Sequence, residues 1–405
     1  MLEGKRIVLG ISGGIAAYKV ADLTSKLVQA GALVDVIMTE GAQRFITPLT
    51  FQALTKRPVR TNIYDDWLGE DTGHVGLAHN ADIVVIAPAT AHTIARLALG
   101  LSDDLISAVY LSTRAPVLIV PAMESGMYSH QATQENIRTL TKRGASVITP
   151  GEGHLASGAT GIGRLPEVPE IIAAITSTLG KNGPLAGKRV VVTAGGTHEP
   201  LDPVRFIGNG SSGKMGYAIA QEALYAGADV VLISGPVALT PPPGVRTMHV
   251  TTASSMEAAV RDTVVAADAL VMAAAVADYA PAEPADQKIK KAGETMTISL
   301  KRNPDILGNL AEIDLPGLVR VGFAAETQDL LDNARQKLDK KRLDMIVAND
   351  AVASIGSDSS ALTLIKRDGS VEQLPPMPKQ ESAKLIVKRL AALLTESEMP
   401  RTPNA

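Results

Sequence analysis

Short, almost purely apolar runs recur along the chain: RIVLGI (6–11), LVDVIMT (33–39), DIVVIAPAT (82–90), PVLIVPAM (116–123) and SVITP (146–150), then RVVVTAG (189–195), DVVLISG (229–235), ALVMAAAVAD (269–278), LVRVGFA (318–324) and LDMIVAND (343–350). Longer segments with helical periodicity lie between them, and this alternation predicts an α/β fold with a mainly parallel sheet. Runs unbroken by polar residues suit strands covered on both faces, so each sheet is expected as the middle of three layers. The runs form two groups. The first closes with IIAAITSTL (171–179), and the second opens at Lys188 after GKNGPLAG (180–187), a stretch of linker composition. The expected organisation is a domain over 1–179, a linker over 180–187, a domain over 188–396 and a polar, flexible tail over 397–405.

Both halves begin with a strand, a glycine loop and a helix, then continue into similar phrases, QAGALVDVIM (29–38) and YAGADVVLIS (225–234). Two Rossmann-like domains in series follow from that likeness. In the second half, 279–307 reads as an insertion after a buried strand. The run GEGHLASGATGIGRL (151–165) has five glycines and neither strand nor helix periodicity. It precedes the last helix of the first domain instead of joining the domains, so it is expected to be a lid.

Length agrees with two domains, since 405 residues exceed what one core usually serves. With 39 basic against 42 acidic side chains and a net charge of −3, nothing favours nucleic acid or an anionic membrane, and any anion site must be local. The absence of cysteine excludes disulfides, thiolate metal sites and cysteine nucleophiles. The apolar run near the N-terminus is too soon interrupted for a signal peptide or membrane span, and a soluble cytoplasmic protein is expected.

Chemistry in the first half concentrates where strands hand over to helices. Gly10, Ser12, Gly13 and Gly14 stand between strand and helix, where backbone amides and the Ser12 hydroxyl can hold a phosphate. The spacing is not that of a dinucleotide loop, and the second strand closes on Thr39 with no acidic residue to read a ribose, which favours a mononucleotide over a merely structural turn. The third strand exits through Pro88, Ala89 and Thr90 toward Ser102 and Asp103, residues that helix capping alone would explain. His74, at the start of a short helical segment, is the acid/base candidate of this half, ahead of His79 and His92.

The motifs GISGGIAAYK, APATAHTIARLALGLSDDL, PAMESGMY and GIGRL resemble the flavin mononucleotide (FMN)-dependent phosphopantothenoylcysteine decarboxylases of coenzyme A biosynthesis. The resemblance implies a flavodoxin-like flavoprotein domain in which Gly10, Ser12, Gly13, Gly14, Thr39, Pro88, Ala89, Thr90, Ser102 and Asp103 hold FMN. It makes His74 the base and Met123, Met127 and Arg164 substrate contacts. The flavin would oxidise the cysteinyl thiol, carbon dioxide would leave from the thioaldehyde, and the electrons would return to the aminoenethiol. Two positions depart from the family pattern. Glu124 replaces an asparagine that faces the substrate carboxylate, which an ionised Glu124 would repel. Ser157 replaces a cysteine that donates the proton of the reductive step, for which a serine hydroxyl is too weak an acid.

In the second half, Gly195, Gly196 and Thr197 follow a strand, and Ser211, Ser212, Gly213 and Lys214 open a helix whose free amides favour a phosphate. Asn209 between two glycines is not explained by core packing. Asp278 closes an apolar run at a strand end, where an acid binds a polar ligand or caps a turn. Lys288, Lys290 and Lys291, with Lys337 and Lys341 spaced i,i+4 on one helix, could neutralise a triphosphate.

This half resembles the cytidine triphosphate (CTP)-dependent phosphopantothenate–cysteine ligases through TAGGTHEPLDPVRFIGNGSSGKMGYAIA, MAAAVADY, KIKK, NPDIL, VGFAAET and IVAND. The whole chain thus resembles the bifunctional enzyme. The resemblance implies that 4'-phosphopantothenate attacks the α-phosphate of CTP to give an acyl cytidylate, from which L-cysteine displaces cytidine monophosphate (CMP). Asn209 would hold the acyl cytidylate, and Lys288 the triphosphate. Ala273, Ala274, Ala275, Asp278, Phe323, Lys337, Lys341 and the run Pro304, Asp305, Ile306, Leu307 would bind CTP, with Mg2+ on its phosphates. The resemblance also implies a homo-oligomer, trimers of the flavin domain joined into a dodecamer through paired ligase domains, with flavin sites between protomers. Glu124 and Ser157 motivate a second reading, an active ligase whose flavin domain serves only as an assembly platform. A nucleotide-sensing protein without catalysis is the reading from another class.

Overall fold

A computed structural model describes residues 2–64, 73–290, 294–326, 330–350 and 357–398. The chain divides into two compact units, Met1–Gly180 and Lys181–Ala405.

In the first unit, strands β1 (Arg6–Ile11), β2 (Leu33–Met38), β3 (Ile83–Ala89), β4 (Val117–Pro121) and β5 (Ser146–Val147) form a parallel sheet in the order β2-β1-β3-β4-β5. This is the flavodoxin-like order, with the reversal of direction between β1 and β3. Side chains alternate between two cores. Ile7, Leu9 and Ile11 join the core under the helices Val20–Gln29 and Val168–Gly180, while Val8 joins that under Ala91–Leu99 and Leu105–Ser112. Burial on both faces is why β1, β3 and β4 read as unbroken apolar runs. Asp35 interrupts β2 and is 6% exposed; Arg57 Nε, 2.7 Å away, compensates its buried charge.

The segment expected to lack strand structure is a hairpin, β6 (Gly151–His154) pairing antiparallel with β7 (Thr160–Arg164). Its small residues hide strand periodicity, because there are few side chains to alternate. The hairpin is tied to the loop after β4, where Met123 N–H donates to Gly163 O at 3.0 Å. The run SVITP likewise yields only the two residues of β5.

In the second unit, β8 (Arg189–Ala194), β11 (Asp229–Ser234), β12 (Arg246–His249), β13 (Ala269–Met272), β16 (Val319–Glu326) and β17 (Met345–Asp350) run parallel. Their order is β12-β11-β8-β13-β16-β17, the Rossmann order, extended by the antiparallel hairpin β18 (Ser359–Lys366) and β19 (Val371–Pro378). Two short ribbons lie outside this sheet, β9 (His198–Pro200) with β10 (Phe206–Gly208), and β14 (Tyr279–Pro281) with β15 (Leu300–Arg302) in the expected insertion. The helix Lys379–Glu398 runs two residues into the stretch expected as tail, and 399–405 lie outside the described residues.

The run ALVMAAAVAD leaves the sheet after Met272, five residues earlier than its apolar character suggests. The backbone there turns to partners across the sheet edge: Ala274 N–H donates to Thr193 Oγ1 at 3.1 Å, and Ala275 N–H to Gly195 O at 2.8 Å. Apolar residues in 273–277 therefore form a wall of the edge instead of more strand.

One device recurs in both units. Asp82 Oδ2 accepts from Arg6 N–H at 2.8 Å, Asp268 Oδ2 from Arg189 N–H at 2.7 Å, and Asp344 Oδ2 from Arg320 N–H at 2.8 Å. Each aspartate directly precedes a parallel strand and accepts from an amide at the start of the neighbouring one, the first residue of β1 and β8 and the second of β16, while its own N–H donates to the same residue's carbonyl, so the pair of bonds fixes the register. At Asp82, burial opposes the charge, but the hydrogen bonds from Lys5 and Arg6 N–H and the two cations outweigh it and hold the carboxyl below its ordinary range. Asp82→Ala is expected to lower stability by about 1–3 kcal/mol through the amide left unpaired. Thermal unfolding followed by circular dichroism measures this, and an unchanged first transition would remove the register role.

Candidate functional site

In the first unit a cleft of ≈ 660 Å³ opens beside the β1/β3 reversal. Gly13, Thr39, Thr90 and Asp103, four of the residues expected around FMN, line it. Ser12 is 1% exposed and acts behind the wall: its Oγ donates to Pro88 O at 2.6 Å and accepts from Thr90 N–H at 3.0 Å, binding the two strand ends together. Gly10 packs against Ile106, Ala89 is buried, and Gly14 and Pro88 do not line the cleft. A Cβ on Gly13 would stand 2.8 Å from the Gly41 carbonyl carbon, so the loops on this rim touch through backbone and leave main-chain groups at the opening. This cradle fits a mononucleotide.

Capping falls on neither Ser102 nor Asp103. Asp104 caps the helix Leu105–Ser112 in a capping box with Ser107, because its carboxylate is the one placed to reach the Ser107 amide, at 2.8 Å. Asp103 pairs instead with Arg96 Nη1 at 2.7 Å. Arg96 also meets Asp104 at 3.2 Å and His92 Nε2 at 2.9 Å, and all four residues line the cleft. The i,i+4 spacing of His92 and Arg96 was the available sequence signal for this cluster.

His74 lies in the helix Gly73–Asn80, and its Nδ1 is buried with no hydrogen-bond partner among the described residues. It does not line the cleft of its own chain. Glu124 turns back on its own chain as a helix cap, its Oε2 accepting from Gly126 N–H at 2.6 Å and Met127 N–H at 3.2 Å. Met123 is half-buried beneath the hairpin, Met127 is exposed, and Arg164 on β7 reaches Glu167 at 3.3 Å. Ser157 is exposed in the hairpin turn, which Leu155 N–H closes on Ala159 O at 2.8 Å.

In the second unit the direction reverses between β8 and β13, and Gly196 and Ala275 meet there in a parallel bridge. Two clefts flank the 274–278 wall and share Ala274, Val276, Asp278, Phe323 and Lys337. One, ≈ 430 Å³, adds Pro304, Asp305, Ile306, Leu307 and Lys341. The other, ≈ 490 Å³, adds Ala273, Ala275 and Asn209, with the loop 210–213 and the first residues of the helix Lys214–Tyr225. Asn209 Nδ2 donates to Val276 O at 3.0 Å, leaving its side chain exposed at the junction. Of the residues expected around CTP, Lys288 lies elsewhere: it is exposed on a loop that Asp202 and Arg205 hold through the backbone of Ile289. Lys290 is exposed on the same loop, and Lys291 is outside the described residues. Among the described residues no group of three or more metal-ligating side chains is placed to hold an ion, and no helix is long and apolar enough to cross a membrane.

Sequence reasoning did not anticipate Arg302, Gln336 and Lys340 on the first cleft or Asn349, Ser360 and Lys379 on the second. Asn303, within the quoted NPDIL motif, ties the returning insertion to the wall, its N–H to Asp278 O and its Nδ2 to Ala277 O, both at 2.8 Å.

The flavodoxin-like order with a mononucleotide cradle, followed by a Rossmann sheet with paired clefts at its switch point, defines a two-domain flavoprotein. A Flavoprotein family model matches residues 1–180, and the model of the DNA/pantothenate metabolism flavoprotein C-terminal domain matches 185–394. Coenzyme A biosynthesis bifunctional protein CoaBC of Vibrio cholerae is 47% identical over 391 residues, 95% of this chain and 98% of that protein. CoaBC of Bacillus subtilis is 46% identical over 399 residues, 97% and 98% of the two chains. The crystal structure of the C-terminal domain of a CoaBC protein is 41% identical, covering 53% of this chain and 99% of its own, with a TM-score of 0.46. The chain belongs to the family of CoaBC bifunctional proteins of coenzyme A biosynthesis.

Asp305 caps the helix Ile306–Ala311 through Gly308 N–H at 3.0 Å and receives Lys341 Nζ at 2.8 Å. Burial opposes its charge, but these two hydrogen bonds and the charges of Lys341 and Lys337 prevail and hold its carboxyl below the ordinary carboxylate range. The stabilisation is therefore complete above the unfolded value of about 3.9 and is lost as pH falls through the lower folded value. Lys341→Met is expected to raise the Asp305 titration midpoint, read by carboxyl NMR. An unmoved midpoint would show that the pair does not set the charge of this wall.

Proposed function

We propose that the chain joins 4'-phosphopantothenate to L-cysteine at the expense of CTP in its second unit and decarboxylates the resulting 4'-phosphopantothenoylcysteine in its first. The observation that carries this reading is kinship with CoaBC proteins along the length of both units. The same kinship favours the bifunctional reading over a ligase mounted on a silent platform.

For ligation, the ≈ 430 Å³ cleft takes CTP. Phe323 and the apolar wall around Ala274 cover the base, Asp278 accepts from it, and Lys337 and Lys341 neutralise phosphates, with Mg2+ carried on the nucleotide. Asn209 stands at the junction with the second cleft, where the substrate carboxylate meets the α-phosphate. An amide there donates to the acyl cytidylate without adding charge, and positioning rather than proton transfer supplies the rate. Cysteine's amine then displaces CMP. Lys288 lies outside both clefts and takes part only if its loop closes over the triphosphate.

For decarboxylation, Gly13, Thr39, Thr90 and Asp103 would hold FMN, with Ser12 fixing the loop that carries Thr90. When bound, FMN supplies a two-electron oxidant for the cysteinyl thiol and returns the electrons after carbon dioxide leaves. His74 takes the thiol proton; its place away from its own chain's cleft suits a site shared between protomers. Glu124, engaged as a helix cap, is directed away from the substrate carboxylate. Ser157 stands at an exposed turn, where solvent supplies the proton that a thiol would give. The homo-oligomer follows from the shared site.

Purified protein is expected to show visible flavin absorbance that bleaches on anaerobic addition of 4'-phosphopantothenoylcysteine and then recovers. Absence of bleaching would overturn the decarboxylase, and bleaching without recovery would place the defect at Ser157. Asn209→Ala is expected to slow CMP release by about a hundredfold; a variant as fast as the parent would remove Asn209 from the reaction.

A further inference from the structure

A buried carboxylate outside both clefts of the second unit gathers donors from two distant parts of the chain. Asp202 stands in the turn between β9 and β10, is 4% exposed, and lines neither cleft. Its Oδ1 accepts from Val204 N–H at 2.9 Å and from Arg205 N–H at 2.8 Å, which closes the turn. Its Oδ2 accepts from Arg205 Nε at 2.9 Å, from Arg205 Nη2, and from Ile289 N–H at 3.2 Å, 87 residues further along the chain. The hydrogen bonds of the Arg205 side chain outweigh the opposing effect of burial and hold this carboxyl well below the ordinary carboxylate range.

The turn itself needs only the first oxygen. A buried ion pair adds little net stability over an apolar substitute, so the bonds of the second oxygen are explained by what they hold. What they hold is a stretch, 285–290, that belongs to no strand or helix and has no ladder to orient it. Ile289 is half-buried between the exposed Lys288 and Lys290, and the pair takes both of its main-chain groups: the N–H by Asp202, and the carbonyl oxygen by Arg205 Nη2 at 3.1 Å. Ala285 N–H donates to Leu201 O at 3.0 Å, a second attachment to the same turn. Bonds on both sides of one α-carbon fix the direction of the chain as well as its place, as a ladder does within a sheet.

We propose that Asp202 is a positioning residue for ligation: with Arg205 it fixes the chain at Ile289, so that Lys288 reaches toward the triphosphate from a rigid root. The inference rests on the ligase reading above, in which Lys288 meets the triphosphate, and adds to it a residue that lies outside both clefts. Asn209, at the end of β10, is anchored separately through Val276 O at 3.0 Å, so the clamp acts on Lys288.

Pyrophosphate formation in a single turnover of the full-length protein, with 4'-phosphopantothenate and CTP but without cysteine, tests this through a double-mutant cycle. Asp202→Asn keeps the shape of the side chain, but whichever way its amide turns it presents a donor to one set of donors. Lys288→Ala and Asp202→Asn are each expected to slow the step about tenfold. The double variant should be no slower than Lys288→Ala alone, because a residue that acts only through Lys288 has nothing left to position. If Asp202→Asn unfolds below the assay temperature, Arg205→Lys takes its place in the cycle, since it keeps a cation beside the carboxylate and removes the fork that reaches Ile289. A folded clamp variant as fast as the parent, a Lys288→Ala protein as fast as the parent, or losses that multiply in the double variant would overturn the inference. Failure of the ligase reading would show separately, as absence of pyrophosphate from the parent.

Discussion

Both sites depend on backbone meeting backbone where a parallel sheet reverses direction. In the second unit Gly196 and Ala275 bridge across the reversal, and a Cβ on Gly196 would stand 2.6 Å from the Asn209 carbonyl oxygen. No side chain fits between these loops, so main-chain groups and the asparagine amide line the crevice. In the first unit Ser12 does the equivalent work, joining the ends of β1 and β3 through Pro88 and Thr90. Helices on both faces leave the carboxyl edge of each sheet as the open side, and chemistry gathers there.

Charge is distributed to match. The protein is nearly neutral overall, with a net charge of −3, yet its second unit brings Arg302, Lys337, Lys340 and Lys341 to one cleft and Lys214 and Lys379 to the adjoining one. Asp305 and Asp358 hold some of these cations in place without cancelling them. In the first unit Arg96 is instead paired through Nη1 with Asp103 and Asp104, which makes that rim less cationic.

Much of this was legible in the sequence because it is local. Apolar runs without alternation reveal doubly covered strands, and glycines and small polar residues after strands reveal turns that face ligands. Three kinds of feature escaped. The hairpin β6–β7 carries too few side chains to show a period. The end of β13 at Met272 depends on hydrogen bonds to Thr193 and Gly195, residues far away in sequence, and not on any change in residue type. Ser360 and Lys379 carry no motif and line one cleft with Lys214, a residue far away in sequence. Capping by Asp104 in place of its neighbours shows the same limit on a smaller scale, since three successive polar residues compete and geometry chooses among them.

The coupling of two chemistries in one chain is tested most directly with L-cysteine isotopically labelled in its carboxyl group, given with 4'-phosphopantothenate and CTP to the flavin-loaded protein. The account predicts labelled carbon dioxide released in step with CMP, with 4'-phosphopantetheine accumulating. Release of CMP while the label stays in 4'-phosphopantothenoylcysteine would contradict it.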